Sequence, residues 1–340
     1  MPTPPSEERR GIASAGNWIV DNVKIIDTWP EEETLANILS ESRGTGGAPY
    51  NVLVNLALLG APFPLAAIGV LGKDPDGDAI EEHARSLGMQ TFFRRSEASP
   101  TSHTDVMSVR STGRRTFFHN RGPNAEFGPD DIPWDRLDGK IFHLGYLLLL
   151  ERMDEEDDDF GTCAARALAE GRKRGIITTV DVVSEASDRF QKVARPALPH
   201  TDYLICNEIE AGRIADIDIR KGSYLDRDAM PLAAQALLDM GVNEAVVIHV
   251  PEGGYARTKD GVEEFCPSLK LPDGFVMGAA GAGDAFAAGF LYGTHEEWPM
   301  AQRLHLAVCA AGASLSDPTT TGGMRPLADV LALGQQCGGA

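Results

Sequence analysis

No two cysteines in this sequence sit close enough to suggest a shared task. Cys163, Cys206, Cys266, Cys309 and Cys337 are scattered, with neither a C-x-x-C pair nor a His/Cys cluster at zinc spacing. The pattern speaks for free thiols in a reducing, cytoplasmic setting and against a disulfide framework or a zinc site. Long apolar runs are also lacking. The best candidate, Ile141 to Leu150, contains His143 and runs straight into acidic residues, well short of the roughly 20 residues that cross a bilayer. The opening MPTPPSEERR has no apolar centre, which argues against a signal peptide and predicts a disordered tail over residues 1–10. Cations are few: 31 Lys and Arg against 50 Asp and Glu leave a formal net charge of -19. Nucleic acid is therefore not an expected partner, because its binders neutralise phosphates with a basic face. A phosphate-using enzyme stays open, since backbone N–H groups, one or two cations and a metal can handle the anion locally.

What is present is a globular composition, 43% hydrophobic and 24% charged, on a chain long enough for one large α/β domain or two ordinary ones. From Leu65 onward, short β-type runs alternate with amphipathic helical runs. Strands are expected at Leu65–Val70, Lys140–Leu149, Ile176–Val183, Asp202–Asn207 and Glu244–Val250. Helices are expected at Asp78–Leu87, Thr162–Arg174, through Phe190 and Val193, at Glu208–Ala215 and at Ala229–Met240. Repeated β-then-α order with apolar strands predicts an α/β fold, a mainly parallel sheet with helices on both faces. Trp18–Ser42 and Met89–Phe118 break the alternation. The second reads as a hairpin, with Thr104, Val106, Ser108 and Arg110 leading through a Ser-Thr-Gly turn to Arg115–Phe118, and the two together suggest a small β lid. Asp154–Asp159 reads as an exposed acidic loop rather than a metal site.

Three motifs carry chemistry. Gly281-Ala282-Gly283-Asp284 opens an apolar helix. Glycines there let the backbone approach a ligand, and the unpaired first-turn N–H groups with the helix dipole suit an anion. Asp284, beside that anion site, is placed to take a proton from an attacking hydroxyl, or else merely to cap the helix. Dinucleotide binding fits poorly, because Phe286 stands where that fingerprint wants its third glycine and the motif comes late in the chain. Gly46-Gly47-Ala48-Pro49-Tyr50-Asn51 offers tight backbone approach followed by an amide with both donor and acceptor, as polyol recognition requires. Asn207-Glu208-Ile209-Glu210 lies at a strand's carboxyl edge. Asn207 there could touch a phosphate and Glu210 hold Mg²⁺ through water, or the pair could simply start a helix.

These motifs, in this order, resemble the PfkB or ribokinase family of carbohydrate and nucleoside kinases from about Gly11 to Val330. Gly44–Gly60 is similar to the family's N-terminal signature in its fructokinase-like form, Gly69–Ile80 to its G-x-x-G-x-D-x-x-G segment, Asn207–Glu210 to N-x-x-E, and Gly281–Phe290 to its C-terminal signature. The resemblance implies a Rossmann-like ribokinase fold, a single domain over 11–335 with lid segments about 18–45 and 89–122, and in-line transfer from MgATP to a hydroxymethyl group. It implies Asp284 as base, Gly281, Ala282 and Gly283 as the anion hole, and Asp21, Gly46, Gly47, Asn51 and Arg121 around a sugar. Asn207, Glu210, His249, Glu252 and Gly254 would face the nucleotide, with Glu210 towards Mg²⁺. A homodimer through the lid is implied as well, with Ile25, Ile26, Phe117 and Phe118 as its apolar surface. Two departures stand out. Gly278-Ala279-Ala280 replaces the Asp-Thr-x of relatives, removing a carboxylate tied to a monovalent-cation site, so potassium activation is not expected. Pro251 withdraws a backbone donor from the nucleotide side. A nucleoside kinase and a non-catalytic sugar or nucleotide sensor remain the alternatives.

Overall fold

The computed structural model describes residues 10–184 and 189–338; the tail expected over 1–10 lies, but for Arg10, outside the described residues. Thirteen strands and eight helices position the site. The strands are β1 (Ile12–Gly16), β2 (Ile19–Ile26), β3 (Ile38–Gly46), β4 (Leu65–Gly72), β5 (Gln90–Ser96), β6 (His103–Val109), β7 (Arg115–Asn120), β8 (Ile141–Leu147), β9 (Ile177–Val182), β10 (Tyr203–Asn207), β11 (Ala245–Val250), β12 (Gly253–Thr258) and β13 (Glu263–Pro267). The helices are α1 (Ala48–Leu59), α2 (Pro75–Ser86), α3 (Cys163–Lys173), α4 (Glu208–Ala215), α5 (Ala229–Asp239), α6 (Ala282–His295), α7 (Met300–Ser314) and α8 (Leu327–Cys337).

Nine strands form one sheet in the order β13-β12-β11-β10-β9-β8-β1-β4-β5. It is parallel from β5 to β11, and β12 and β13 close its far edge antiparallel. The inner strands are apolar because both faces are covered. One core layer gathers Leu168 of α3, Ile214 of α4 and Leu237 of α5. The other gathers Leu53 of α1, Phe286 and Phe290 of α6, Leu306 of α7 and Val330 of α8. Helix ends follow local chemistry: Thr162 caps α3 by accepting from the Ala165 N–H at 3.2 Å, and Gly60 ends α1 in the left-handed region.

A separate four-stranded sheet has the order β3-β2-β6-β7. Its second segment is narrower than expected, because Gln90–Ser96 pairs with β4 along the edge of the large sheet. The alternation in β5 is that of a half-covered edge strand, which reads like a lid strand until the pairing is known. Trp18, just ahead of β2, is fully buried and donates its indole N–H to the Ile68 carbonyl at 2.8 Å. Of the apolar residues expected on this sheet's surface, Phe117 (64%) and Phe118 (51%) are exposed, whereas Ile26 is buried. The acidic run is only partly an exposed loop. The Asp154 side chain is 4% exposed and accepts from the Leu148 N–H at 3.0 Å.

Candidate active site

Parallel strands around the central β1 all end on one edge, and the chemistry collects there. Since β1 is flanked by β4 on one side and β8 on the other, the connections diverge at this point and leave a crevice at the carboxyl ends. At the head of α6, Gly281 holds a left-handed conformation (φ 77°). A Cβ there would lie 2.4 Å from the Thr320 carbonyl oxygen, so only glycine fits. No side chain caps this helix. The Ala282 N–H donates to the Ala279 carbonyl at 3.4 Å, and the helix dipole places its positive end at this turn.

Asp284, in that first turn, is buried (5%). Its two carboxylate oxygens each accept one bond: Oδ2 from the Asn51 Nδ2 amide at 2.7 Å and Oδ1 from the Tyr146 hydroxyl at 2.9 Å. Desolvation pushes its pKa up to about 6, and the two donors pull against that rise. A carboxylate poised near neutrality, with its orientation fixed from both sides, is suited to accept a proton. Burial likewise drives Tyr146 well above the ordinary phenol value, with Asp284 and Asp181 nearby adding to it. Tyr146 therefore stays protonated and serves as donor.

The glycine pair ahead of α1 has a packing reason. A Cβ on Gly46 would stand 2.3 Å from Asp21 Oδ2, and one on Gly47 (φ 98°) 2.1 Å from the Asn17 carbonyl oxygen. Asp21 thus lies directly against the turn that starts α1. Burial lifts its carboxyl to about 6 despite a hydrogen bond with Thr104. Asp21, Thr104 and His119 form one cross-strand row on β2, β6 and β7, with Thr104 Oγ1 2.9 Å from His119 Nδ1. Thr320 joins this side to the anion turn, its hydroxyl 3.5 Å from the Thr45 carbonyl and its own carbonyl against Gly281. One N–H of the Asn51 amide is committed to Asp284, and its Oδ1 is buried and unpartnered.

Across the crevice, Asn207 and Glu210 form a closed capping box. Asn207 Oδ1 accepts from the Ile209 and Glu210 N–H groups, each at 2.9 Å, and Glu210 Oε2 accepts from the Asn207 N–H at 2.9 Å. Ser184 donates to Glu210 Oε1 at 2.6 Å. Burial nonetheless pushes Glu210 up to about 7. Asp181, absent from the sequence motifs, lies within electrostatic reach of both Glu210 and Asp284 and is raised well above the usual carboxylate range by burial and those two charges. Two carboxyls raised by burial and by acidic neighbours have the oxygen donors that a divalent ion takes, although no group of three or more His, Cys, Asp or Glu at metal-holding distance occurs among the described residues. His249 packs under Gly283, where a Cβ would meet its ring at 3.1 Å. Desolvation lowers it to about 4, so it lines the turn as a neutral ring.

The remaining expected residues have other neighbours as well. Glu252 is held by Arg220 at 2.6 and 3.2 Å, and Gly254 packs on Phe286, 2.7 Å from a built Cβ. Both therefore have structural partners of their own. Arg121 faces Glu151 at 3.4 Å. Asp181 and Tyr146 were missed because neither belongs to a glycine-rich turn. The only signal was an aspartate inside the apolar run ITTVDVV. A cavity of about 920 Å³ lined by Tyr203, Lys259, Trp298 and Arg303 lies at the opposite, amino edge of β10 and β11, so cavity size alone does not mark this site.

Comparison with known proteins gives the family and the fold. The 5-dehydro-2-deoxygluconokinase of Clostridium perfringens is 25% identical over 80% of each chain, and Arabidopsis thaliana adenosine kinase 1 is 22% identical over 72% of this chain and 71% of its own. Among solved structures, Arabidopsis thaliana ribokinase complexed with ribose and ATP superposes with a TM-score of 0.78 at 22% identity, over 95% of this chain and 98% of that one. Fructokinase with bound ATP from Xylella fastidiosa gives 0.73 at 19% identity, over 96% and 98%. Residues 14–326 match the pfkB family carbohydrate kinase description, and the chain belongs to that family of sugar and nucleoside kinases.

Proposed function

We propose that this kinase transfers the γ-phosphoryl group of ATP to a hydroxyl, in most cases a hydroxymethyl, of a sugar or sugar acid. The observation that carries the reading is Asp284, buried at an uncapped helix N-terminus with its pKa near 6 and both oxygens oriented. Asp284 accepts the proton of the acceptor hydroxyl as its oxygen forms a bond to the γ-phosphorus, and the bond to the bridging oxygen breaks to release ADP. The N–H groups after Gly281, with Ala282 and Gly283, stabilise the charge on the transferring group. Asp21 faces sugar hydroxyls at the Gly46-Gly47 turn, Asn51 Oδ1 is available to one of them, and Arg121 stands at the rim of the small sheet.

Glu210 and Asp181 would face Mg²⁺ through water, and the ion would neutralise phosphate charge when bound. Asn207 and His249 line the nucleotide side. The small sheet acts as a lid, and its exposed Phe117, Phe118, Ile38 and Leu39 support pairing with a second copy in the cytoplasm. A coupled assay of ADP release across ribose, fructose, ketodeoxygluconate and adenosine tests the reading. Release with a sugar or sugar acid that is lost in Asp284→Asn supports it. Turnover confined to adenosine would make this a nucleoside kinase, and no turnover with any would favour a sensor.

A further inference from the structure

Strict alternation along β8 would place Phe142, Leu144 and Tyr146 on one face of the large sheet. Phe142 and Leu144 do lie in the core layer under α3, α4 and α5. Tyr146 does not follow them. The pairing with β9 runs Leu144 to Val180 and then Leu147 to Val182, so Gly145 and Tyr146 together stand opposite the single residue Asp181. This is a β-bulge, with two residues against one. It lets Leu147 take the core position that Tyr146 would have had. The tyrosine hydroxyl turns instead to the opposite face, where α1 and α6 pack, and donates to Asp284 Oδ1 at 2.9 Å.

We propose that Tyr146, delivered by this bulge, is a positioning residue for the base: its hydroxyl and the Asn51 amide clamp the Asp284 carboxylate from both sides and hold it ionised and aimed at the acceptor hydroxyl. The bulge and the hydrogen bond are separate observations that point to the same role. Bulges beside active sites commonly re-aim one side chain at the expense of the ladder. The groups facing Asp284 leave Tyr146 and Asn51 as its donors. Asp181 on β9 is an acid, and Glu210 on α4 is a second one. His249 on β11, under Gly283, is neutral. Its neighbours on that side are acids, and the Tyr146 hydroxyl and the Asn51 amide are the two side-chain donors that favour its charged form. Loss of one of them raises its affinity for a proton, as the lowering effect of the Tyr146 bond on its titration indicates.

This inference rests on Asp284 being the base, and the experiment separates the two. Tyr146→Phe keeps the ring and its packing and removes only the hydroxyl. Expected for the purified full chain is a kcat roughly 10- to 100-fold lower at pH 7, the scale of one hydrogen bond to a charged group, with KM for ATP within about threefold. The acid limb of the kcat/KM profile should move to higher pH, with part of the loss recovered in alkaline buffer. If Asp284→Asn is inactive while Tyr146→Phe keeps the wild-type rate and an unmoved acid limb, the positioning role is wrong and the base assignment stands. If Asp284→Asn is itself active, the base assignment fails first. Carboxyl carbon NMR, with the Asp284 resonance identified by its absence in Asp284→Asn, reads the same titration without turnover. An unchanged midpoint in Tyr146→Phe would also overturn the proposal.

Discussion

Two helices begin on the same edge of the sheet, each with an acid in its first turn, and they resolve that arrangement in opposite ways. At α4 the cap is closed: Asn207 and Glu210 use each other and the local N–H groups, with Ser184 bonded to both. At α6 the cap position is Gly281, which has no side chain to offer, and Asp284 turns away from its own helix to meet Asn51 and Tyr146. A closed cap stabilises the fold, whereas an open one keeps donors available for an anion. The residue type at the cap position, asparagine or glycine, decides which.

The contrast breaks most sharply at Asp284. In Asp284→Asn, size is kept but proton acceptance is lost, and turnover should fall by roughly 10²–10⁴-fold with nucleotide binding retained by calorimetry. Turnover within a few-fold of wild type would mean that both acids are caps. In the wild type the carboxylate is the active form, so activity should decline as pH drops through about 6, where Asp284 takes up its proton. A flat rate down to pH 5 would show that another group accepts the proton.

A smaller effect is expected at the sugar side. Asp21→Ala should weaken the KM for the sugar by roughly 5- to 150-fold, the range of one hydrogen bond left unpaired, and leave the KM for ATP nearly unchanged. An equal loss for both substrates would indicate misfolding around the Gly46-Gly47 turn. At the closed cap, Asn207→Ala should cost about 1 kcal/mol in urea unfolding, while a loss of stability in Asp284→Asn larger than this would reverse the contrast between the two helices. The smallest effect concerns the cation. With no side-chain oxygen at Gly278, Ala279 or Ala280, turnover in sodium, potassium and tetramethylammonium salts should agree within about twofold at matched ionic strength, which must be held constant because screening alone alters how an acidic protein attracts ATP. A several-fold rise with potassium would mean that other oxygens form the site.

How much of this was legible depends on the range of the interaction involved. Gly281, Gly46 and Gly47 were readable because a backbone constraint leaves a local trace: a residue without a Cβ marks each place where the chain passes against itself. Asn207 and Glu210 were readable for the same reason, their bonds spanning three residues, although the sequence left open whether they served a ligand or the helix. The alternation of strands and helices came through because inner parallel strands must be apolar on both faces. Edge strand β5 was assigned to the lid, since alternation reports how many faces are covered and not which sheet does the covering.

Tyr146 was not legible, and Asp181 left only the trace of an acid inside an apolar run. The bond from Tyr146 to Asp284 joins residues 138 apart, and nothing near either one announces the other. Composition and short motifs determined the fold class, the glycine turn at the head of α6 and the acid in its first turn, because each depends on backbone geometry within a few residues. Tertiary structure alone decided that the Asn51 amide meets Asp284, that Arg220 holds Glu252, and that a bulge turns Tyr146 out of the core layer, because those outcomes depend on contacts between residues distant in the chain.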